Sequence, residues 1–288
     1  MTTLFDLRHV RHAFGRAAAD YDRHAVLQHQ VEQHLMERLD YVEREPQRAL
    51  DVGCGTGRAA AALRKRWKRA QVIALDFAQP MLQRVRTGWR HSLLRVCADA
   101  RALPLPDASV DVLFSNLCIQ WVDDLPALFD EFRRVLSPGG YLAISTFGPD
   151  TLHELRAAWA AADAAPHVSP FIDIARLGDA LLAAGFRDPV LDNEHFTLTY
   201  PDALAVMRDL KAIGATNADP RRSRGLLGRA HLRRAEQAYE TYRCDDVLPA
   251  TYEVIYAHAW GPEPGQPRRA RGGEIATFPV ERLRGSRR

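Results

Sequence analysis

Between residues 48 and 148, short apolar runs alternate with amphipathic stretches. The runs are RALDVG, QVIALD, LLRVCAD, VDVLFSN and GGYLAISTFG, and between them lie RAAAALRKRW, QPMLQRVRTGW and LPALFDEFRRVL. Strands that alternate with helices predict an α/β fold with a parallel sheet and right-handed crossovers. Gly139 and Gly140, following Leu136, mark a helix stop and a strand start. Upstream, residues 9–40 read as helical, with Ala17, Tyr21, Val31, Leu35 and Leu39 among charged neighbours, until EREPQ breaks the pattern.

Past the fifth run come a helix at about 150–163, a loop APHVSPF, and a helix DIARLGDALLAAGF closed by Gly185. VLDNEHFTLTY and ATYEVIYAHAW read as two further strands. About fifty mostly helical residues separate them, far more than the ~2–6 of an ordinary connection. The tail is rich in Pro, Gly and Arg and is expected to be mostly disordered, with IATFPVERL as its one stretch able to dock. The chain then divides into a helical cap over 1–45, a main domain over 46–260 with a helical insertion at about 201–248, and a basic tail over 261–288.

At 288 residues there is room for one large domain or two small ones, and 47% hydrophobic with 26% charged residues is ordinary for a soluble protein. A net charge of +3 is too small to point to nucleic acid. The positive charge is uneven, concentrated in RKRWKR (64–69), RRSR (221–224) and the tail from Arg268 to Arg288. Each run is either a solvated face or a landing surface for an acidic partner. The cysteines at 54, 97, 118 and 244 show no CxxC spacing, which fits a reducing, cytoplasmic setting. The N-terminus lacks the apolar run of a signal peptide and no stretch approaches ~18 apolar residues, so neither export nor a membrane span is expected. His24, His29 and His34 walk round a helix instead of sharing a face, and no metal site is expected.

ALDVGCGTGRAAAAL reads as a strand, a glycine turn and a helix start, the form of a nucleotide site. Its spacing is G-x-G-x-G, over Gly53, Gly55 and Gly57. A dinucleotide fingerprint wants Gly or Ala where Arg58 stands. Asp51, beside the turn, would repel a pyrophosphate but suits an ammonium group. A ligand with an amino-acid end fits, and S-adenosylmethionine is one. Asp76 ends the second run, where a carboxylate grips ribose hydroxyls. Asp99 ends the third, before Ala100, and can accept a hydrogen bond from an adenine amine. One such aspartate is as readily a surface or capping residue; three at consecutive strand ends form a set.

The series LDVGCGTG, ALDFAQPML, CADARALPLPDASVDVLFSN and EFRRVLSPGGYLAIS closely resembles class I S-adenosylmethionine-dependent methyltransferases over about 48–147. The resemblance implies a Rossmann-like, seven-stranded, mostly parallel sheet with helices on both faces, whose last strand, TYEVIYAHAW, is antiparallel. It also implies that Asp51 with Gly53, Gly55 and Gly57 holds the methionine end, Asp76 the ribose, and Asp99 with Ala100 the adenine. Phe77 and Met81 would flank the base, and Asn116 and Leu117 would lie near the transferred methyl.

The flanks FGRAAADYDRHAVLQHQ, SNLCIQW, APHVSPF and MRDLKAIGATN together resemble the malonyl-carrier-protein O-methyltransferases of biotin synthesis, over almost the whole chain to about 260. Those enzymes methylate the free carboxylate of a malonyl thioester, hiding its charge so that fatty-acid synthesis can elongate the chain toward pimelate. SNLCIQWV, at the end of the fourth run, holds no Asp, Glu, His, Lys or Arg. A carboxylate acceptor accommodates that: with a Glu-like pKa of ~4.3, on the order of 99% is ionised at pH 7. No general base and no catalytic side chain are then required, only positioning and exclusion of water. Arg208 and Lys211, three apart on one helix face, are the candidates to hold the acceptor. Tyr21 and Gln28 either cover the methionine end or serve helix packing, and Trp121 is either an apolar wall or a core aromatic. A malonyl group on a phosphopantetheine arm comes with a small acidic acyl carrier protein. Arg221, Arg222, Arg224, Arg229, Arg233 and Arg234, in the same insertion, offer it a landing site. The alternatives are a complex I assembly factor that resembles an arginine hydroxylase, a methyltransferase for another small acid, and a catalytically silent binding protein. Arg208 with Lys211 favours a carboxylate acceptor, and the three retained aspartates speak against a silent protein.

Overall fold

The computed structural model describes residues 4–87, 93–222, 228–263, 268–270 and 273–275. Each apolar run forms a strand: β1 (Arg48–Val52), β2 (Gln71–Asp76), β3 (Leu93–Cys97), β4 (Val110–Ser115), β5 (Leu136–Phe147), β6 (Arg187–Tyr200) and β7 (Leu248–Trp260). The order across the sheet is β3-β2-β1-β4-β5-β7-β6. The first five pair in parallel, and β7 runs antiparallel between β5 and β6. A second pair, β8 (Arg268–Ala270) with β9 (Gly273–Ile275), gives part of the tail regular structure where disorder was expected. Most of IATFPVERL lies outside the described residues.

Alternation along the strands builds a core on each face. Leu50, Val52, Ile73, Leu75, Leu142 and Ile144 pack against α6 (Leu125–Val135) and α8 (Ile174–Ala183). Val72, Ala74, Val112, Phe114 and Ala143 pack with α3 (Val26–Glu37), α4 (Arg58–Arg66), α7 (His153–Ala162) and α10 (Arg229–Tyr239). A one-residue slip would swap the two sets between faces, so burial on both sides fixes the register and with it the strand ends.

Three local expectations shift. The helix expected over 9–40 breaks into α1 (Leu7–Ala17), α2 (Tyr21–His24) and α3. Its apolar positions serve two partners: Ala18 and Tyr21 pack near Met81, while Leu27, Val31 and Leu35 pack on the sheet. The helix expected from Gln79 is only α5 (Gln79–Leu82) before a turn; residues 88–92 lie outside the description. α6 ends at Val135 and β5 starts at once, Leu136 pairing with Val110 ahead of a bulge that takes up Gly139 in a left-handed conformation. Among the described residues no helix is long and apolar enough to cross a membrane. All four cysteines are free thiols.

Candidate active site

The strand order reverses between β1 and β4, and the loops after β1, β2 and β4 meet there. Gly53 and Gly55 turn the chain with φ of 71° and 54°. A Cβ on Gly53 would lie 2.3 Å from Cys118 Sγ, whereas one on Gly55 would meet nothing within 4 Å. The open side of the loop is thus on Gly55, and it faces a pocket lined by Asp51, Glu32, Arg58, Tyr21, Gln28 and Asn116. Asp51 is 1% exposed and its Oδ2 has no partner among the described residues. Burial, with the charge of Glu32 added, pushes its carboxyl well above the ordinary range. A buried carboxylate oxygen left bare beside a glycine loop is satisfied by an ammonium group, so the pocket fits the amino-acid end of S-adenosylmethionine.

Glu32 and Arg58 were not singled out for this pocket from sequence. Arg58 Nε donates to Glu32 Oε1 at 3.1 Å, and burial raises the Glu32 carboxyl. The available signal was the four-residue step from Gln28 to Glu32 along α3. Thr56 donates to Asp22 at 2.6 Å and ties the N-terminal cap to the glycine loop.

Asp76 is buried at the end of β2. Its Oδ2 accepts from the Gly55 N–H at 2.9 Å and its Oδ1 from the Ala78 N–H at 2.7 Å. Burial outweighs both bonds and the carboxyl is pushed up to about 6. Each oxygen keeps acceptor capacity for a ribose hydroxyl. Asp99 is chelated by Arg101, whose Nη2 and Nε donate at 2.7 and 3.0 Å; those bonds hold its carboxyl below the usual range. It lines a groove with Phe77, Ala98, Arg8 and Arg11, the two arginines supplied by α1. Met81 and Ala100 do not line that groove: Met81 is buried under Phe77 and Ala18, and Ala100 packs on the α6 face of the sheet.

Asn116 and Leu117 stand between this pocket and a second cavity. Asn116 lines the first and Leu117 the second, while Tyr21 and Gln28 line both. Asn116 Nδ2 donates to the Gln28 carbonyl at 3.0 Å and its Oδ1 accepts from Ser145 at 2.7 Å. Leu117 has φ 46°, a conformation costing roughly 1–3 kcal/mol for such a residue, and its N–H is held by Ser145. The second cavity is walled by Phe14, Trp121, Phe147, Phe171, Leu155 and Ile213. Trp121 meets Phe5 and Phe14 edge-on at 5.9 and 5.6 Å. Among the described residues no Asp, Glu, Lys or Arg lines it. His167 does: its Nε2 sits 2.9 and 3.0 Å from the two oxygens of Asp163 and its ring stacks on Trp159 at 3.9 Å. The four-residue spacing of Asp163 and His167 was the only trace of this pair in the sequence.

The cations expected at the acceptor are placed elsewhere. On α9 (Ala203–Ala212), Ala203 and Val206 are buried, and Leu210 reaches the cavity together with Ile213 just past the helix end. Arg208 and Lys211 fall on the opposite side, exposed, and neither lines the cavity. Cations beside an apolar stripe mark the outer face of an amphipathic helix. Arg222 is 17% exposed and pairs with Asp6 at 3.2 Å, locking the insertion to the N-terminal cap. Arg221 is chelated by Asp219 although 73% exposed. Arg229, Arg233 and Arg234 stand exposed on α10 without a carboxylate partner among the described residues. Arg224 lies outside the described residues. Away from the site, Asp150, His195 and Glu253 bring possible metal ligands within 4.8 Å, but both Glu253 oxygens already accept, from Asn193 and the Asp150 N–H.

A family model described as a methyltransferase domain matches residues 50–144. In shape the chain is similar to a Bacillus halodurans protein, with TM-score 0.57, 16% identity, and coverage of 79% of this chain and 98% of that one. It is also similar to phosphoethanolamine N-methyltransferase 2 of Haemonchus contortus, solved with S-adenosyl-L-methionine (TM-score 0.50, 18% identity, 80% and 53% coverage). Strand order, glycine loop and the acids at the strand ends define a class I S-adenosylmethionine-dependent methyltransferase. In sequence the chain is 55% identical to the malonyl-[acyl-carrier protein] O-methyltransferase of Xylella fastidiosa, over 98% of this chain and 97% of that protein. It is 51% identical to the enzyme of the same name from Methylovorus sp., over 90% of each. The chain belongs to the malonyl-[acyl-carrier protein] O-methyltransferase family.

Proposed function

We propose that this protein methylates the free carboxylate of a malonyl group carried as a thioester on acyl carrier protein. The observation that carries this is the lining of the second cavity, which beside Asn116 and Leu117 is mostly apolar and, among the described residues, holds no Asp, Glu, Lys or Arg. Bound at the glycine loop, S-adenosylmethionine supplies an electrophilic methyl on a sulfonium. Asp51 receives its ammonium end, Asp76 its ribose, and Asp99 with Phe77 its base. Tyr21 and Gln28 partition the two cavities, and Trp121, Phe14 and Phe147 keep water out. An acceptor carboxylate with a pKa near ~4.3 arrives ionised, so no side chain has to take its proton. A wall free of Arg and Lys suits that nucleophile, because a tight ion pair would blunt it. Identities of 55% and 51% to enzymes of this one name, over nearly the whole chain, support this acceptor over the alternatives.

His167 provides the test. Tied to Asp163, it is built like a general base, yet the proposed chemistry does not use one. His167→Gln should therefore lower kcat by less than about tenfold, the range of one lost hydrogen bond. A loss of about 10²–10⁴, the range of general-base catalysis, would overturn the proposed acceptor.

An acidic carrier docks on the exposed cations of α10, which packs on α7 beside the His167 end of the cavity. Arg229, Arg233 and Arg234 carry that role, and Arg221 is exposed for it as well; Arg222 does not, being spent on Asp6. Reversing all three α10 charges to Glu should raise KM for malonyl-carrier protein by about tenfold at low salt and flatten its salt dependence. An unchanged KM would place the carrier elsewhere. A carrier-bound substrate and four free thiols fit a cytoplasmic setting.

A further inference from the structure

Gln120 sits in the short turn Ile119–Trp121, just past Asn116 and Leu117. Its Nε2 donates to the Leu117 carbonyl at 2.7 Å. That bond settles which end of the amide is which, since a flipped amide would set two oxygens against each other. The other end, Oε1, is buried and has no hydrogen-bond partner among the described residues. Gln120 lines the acceptor cavity with Leu117, Tyr21 and Trp121, and it also borders a neighbouring groove with Phe5, Ile119 and Phe171. Each of the paired cavities is thus lined by a residue that keeps one bare acceptor: Asp51, with Oδ2, on the cofactor side and Gln120, with Oε1, on the acceptor side. A buried acceptor of this kind calls for a donor on the ligand.

Few donors are at hand. An ionised carboxylate has no proton to give, and a thioester has none. The ammonium group of the cofactor belongs at Asp51, across the partition of Tyr21 and Gln28. The first N–H along the carrier's arm is the amide of its cysteamine unit, a two-carbon spacer beyond the sulfur. We propose that Gln120 Oε1 accepts that amide N–H, and that the contact selects carrier-type thioesters over free acids and simple thioesters. This rests on the malonyl-thioester acceptor proposed above. Anchored on the Leu117 carbonyl, Gln120 joins recognition of the arm to the left-handed residue beside the methyl position, so seating the arm also braces that backbone. A site built to hydrogen-bond an N–H discriminates strongly against an analogue lacking it.

The test uses the purified full-length protein, S-adenosylmethionine and two small thioesters. One is malonyl-S-N-acetylcysteamine; the other is its isostere with an ester oxygen in place of the amide N–H. Wild type should favour the amide by about tenfold in kcat/KM. Gln120→Leu should lose a similar factor on the amide and bring the two thioesters within about twofold of each other. Calorimetric binding of S-adenosylmethionine reports whether the variant is folded; if it is not, the wild-type comparison alone decides. Equal wild-type rates on the two thioesters, or a preference that survives in Gln120→Leu, would overturn the assignment. So would turnover of malonyl-carrier protein but of neither small thioester, since the amide would then confer no detectable selection. Methylation of none of the three by wild type would strike the acceptor itself, a distinguishable failure.

Discussion

Asp51→Asn should weaken S-adenosylmethionine binding by about a hundredfold while making the unliganded protein more stable at neutral pH. The affinity loss follows from the bare Oδ2: it is buried and unpaired, and an ammonium group is the partner that completes the carboxylate. Truncating one side of a buried, hydrogen-bonded charge pair costs about 2–5 kcal/mol, and a hundredfold lies within that range. The stability gain follows from the same burial. Burial and the neighbouring Glu32 raise the Asp51 carboxyl, so the folded state holds its proton more tightly than the unfolded chain does. Stability is then highest with the proton on. It falls as pH rises from about 4 through the raised folded value, and stays lost above it. Asn cannot ionise, and its carbonyl can keep the bond that Asp51 accepts from the Ala60 N–H. Calorimetry should show the variant melting above wild type at pH 7, with the gap closing toward pH 4. A gap independent of pH would refute the ionisation argument, and unchanged cofactor affinity would move the ammonium group away from Asp51.

Gly53→Ala and Gly55→Ala should fail in opposite ways. Both positions are left-handed, which costs a residue with a Cβ roughly 1–2 kcal/mol. At Gly53 the new methyl would also sit 2.3 Å from Cys118 Sγ and 2.5 Å from its Cβ, in a spot where burial keeps that thiol neutral, its pKa pushed up to about 12. Overpacking adds about 1–3 kcal/mol, so Gly53→Ala should lose about 2–5 kcal/mol of stability in denaturant titrations. At Gly55 nothing lies within 4 Å, so the fold should survive with only the backbone cost. Its methyl would occupy the space of the ligand, and cofactor affinity should fall by about tenfold or more for want of close backbone approach. A stable Gly53→Ala, or a Gly55→Ala that binds normally, would mean that the two sides of the loop are assigned the wrong way round.

The cofactor half of the proposed site was legible because strand ends carry it. Asp51 and Asp76 close runs whose burial on both faces fixes their register, and Asp99 follows the edge strand β3, whose register is set by pairing with β2. Met81 and Ala100 were drawn in by the same resemblance, but their side chains point into cores that only packing defines. The acceptor half was less legible because it is assembled from loops and helix faces far apart in sequence. Arg208 and Lys211 share a face, but the apolar step from Val206 through Leu210 to Ile213 decides which face turns inward. His167 acquires its place only when α7 brings Trp159 and Asp163 against it, and Gln120 only when Leu117 takes its left-handed turn. The break in the N-terminal helix has a similar cause: one apolar pattern serves two partners, and the chain bends between them.

The most direct measurement is the mass of the carrier. Malonyl-acyl-carrier protein incubated with this protein and S-adenosylmethionine should gain one methyl group, located on the malonyl carboxylate, while acetyl-acyl-carrier protein gains none. A malonyl carrier of unchanged mass, with protein that binds S-adenosylmethionine normally, would contradict the proposed function, and so would methylation of the acetyl carrier.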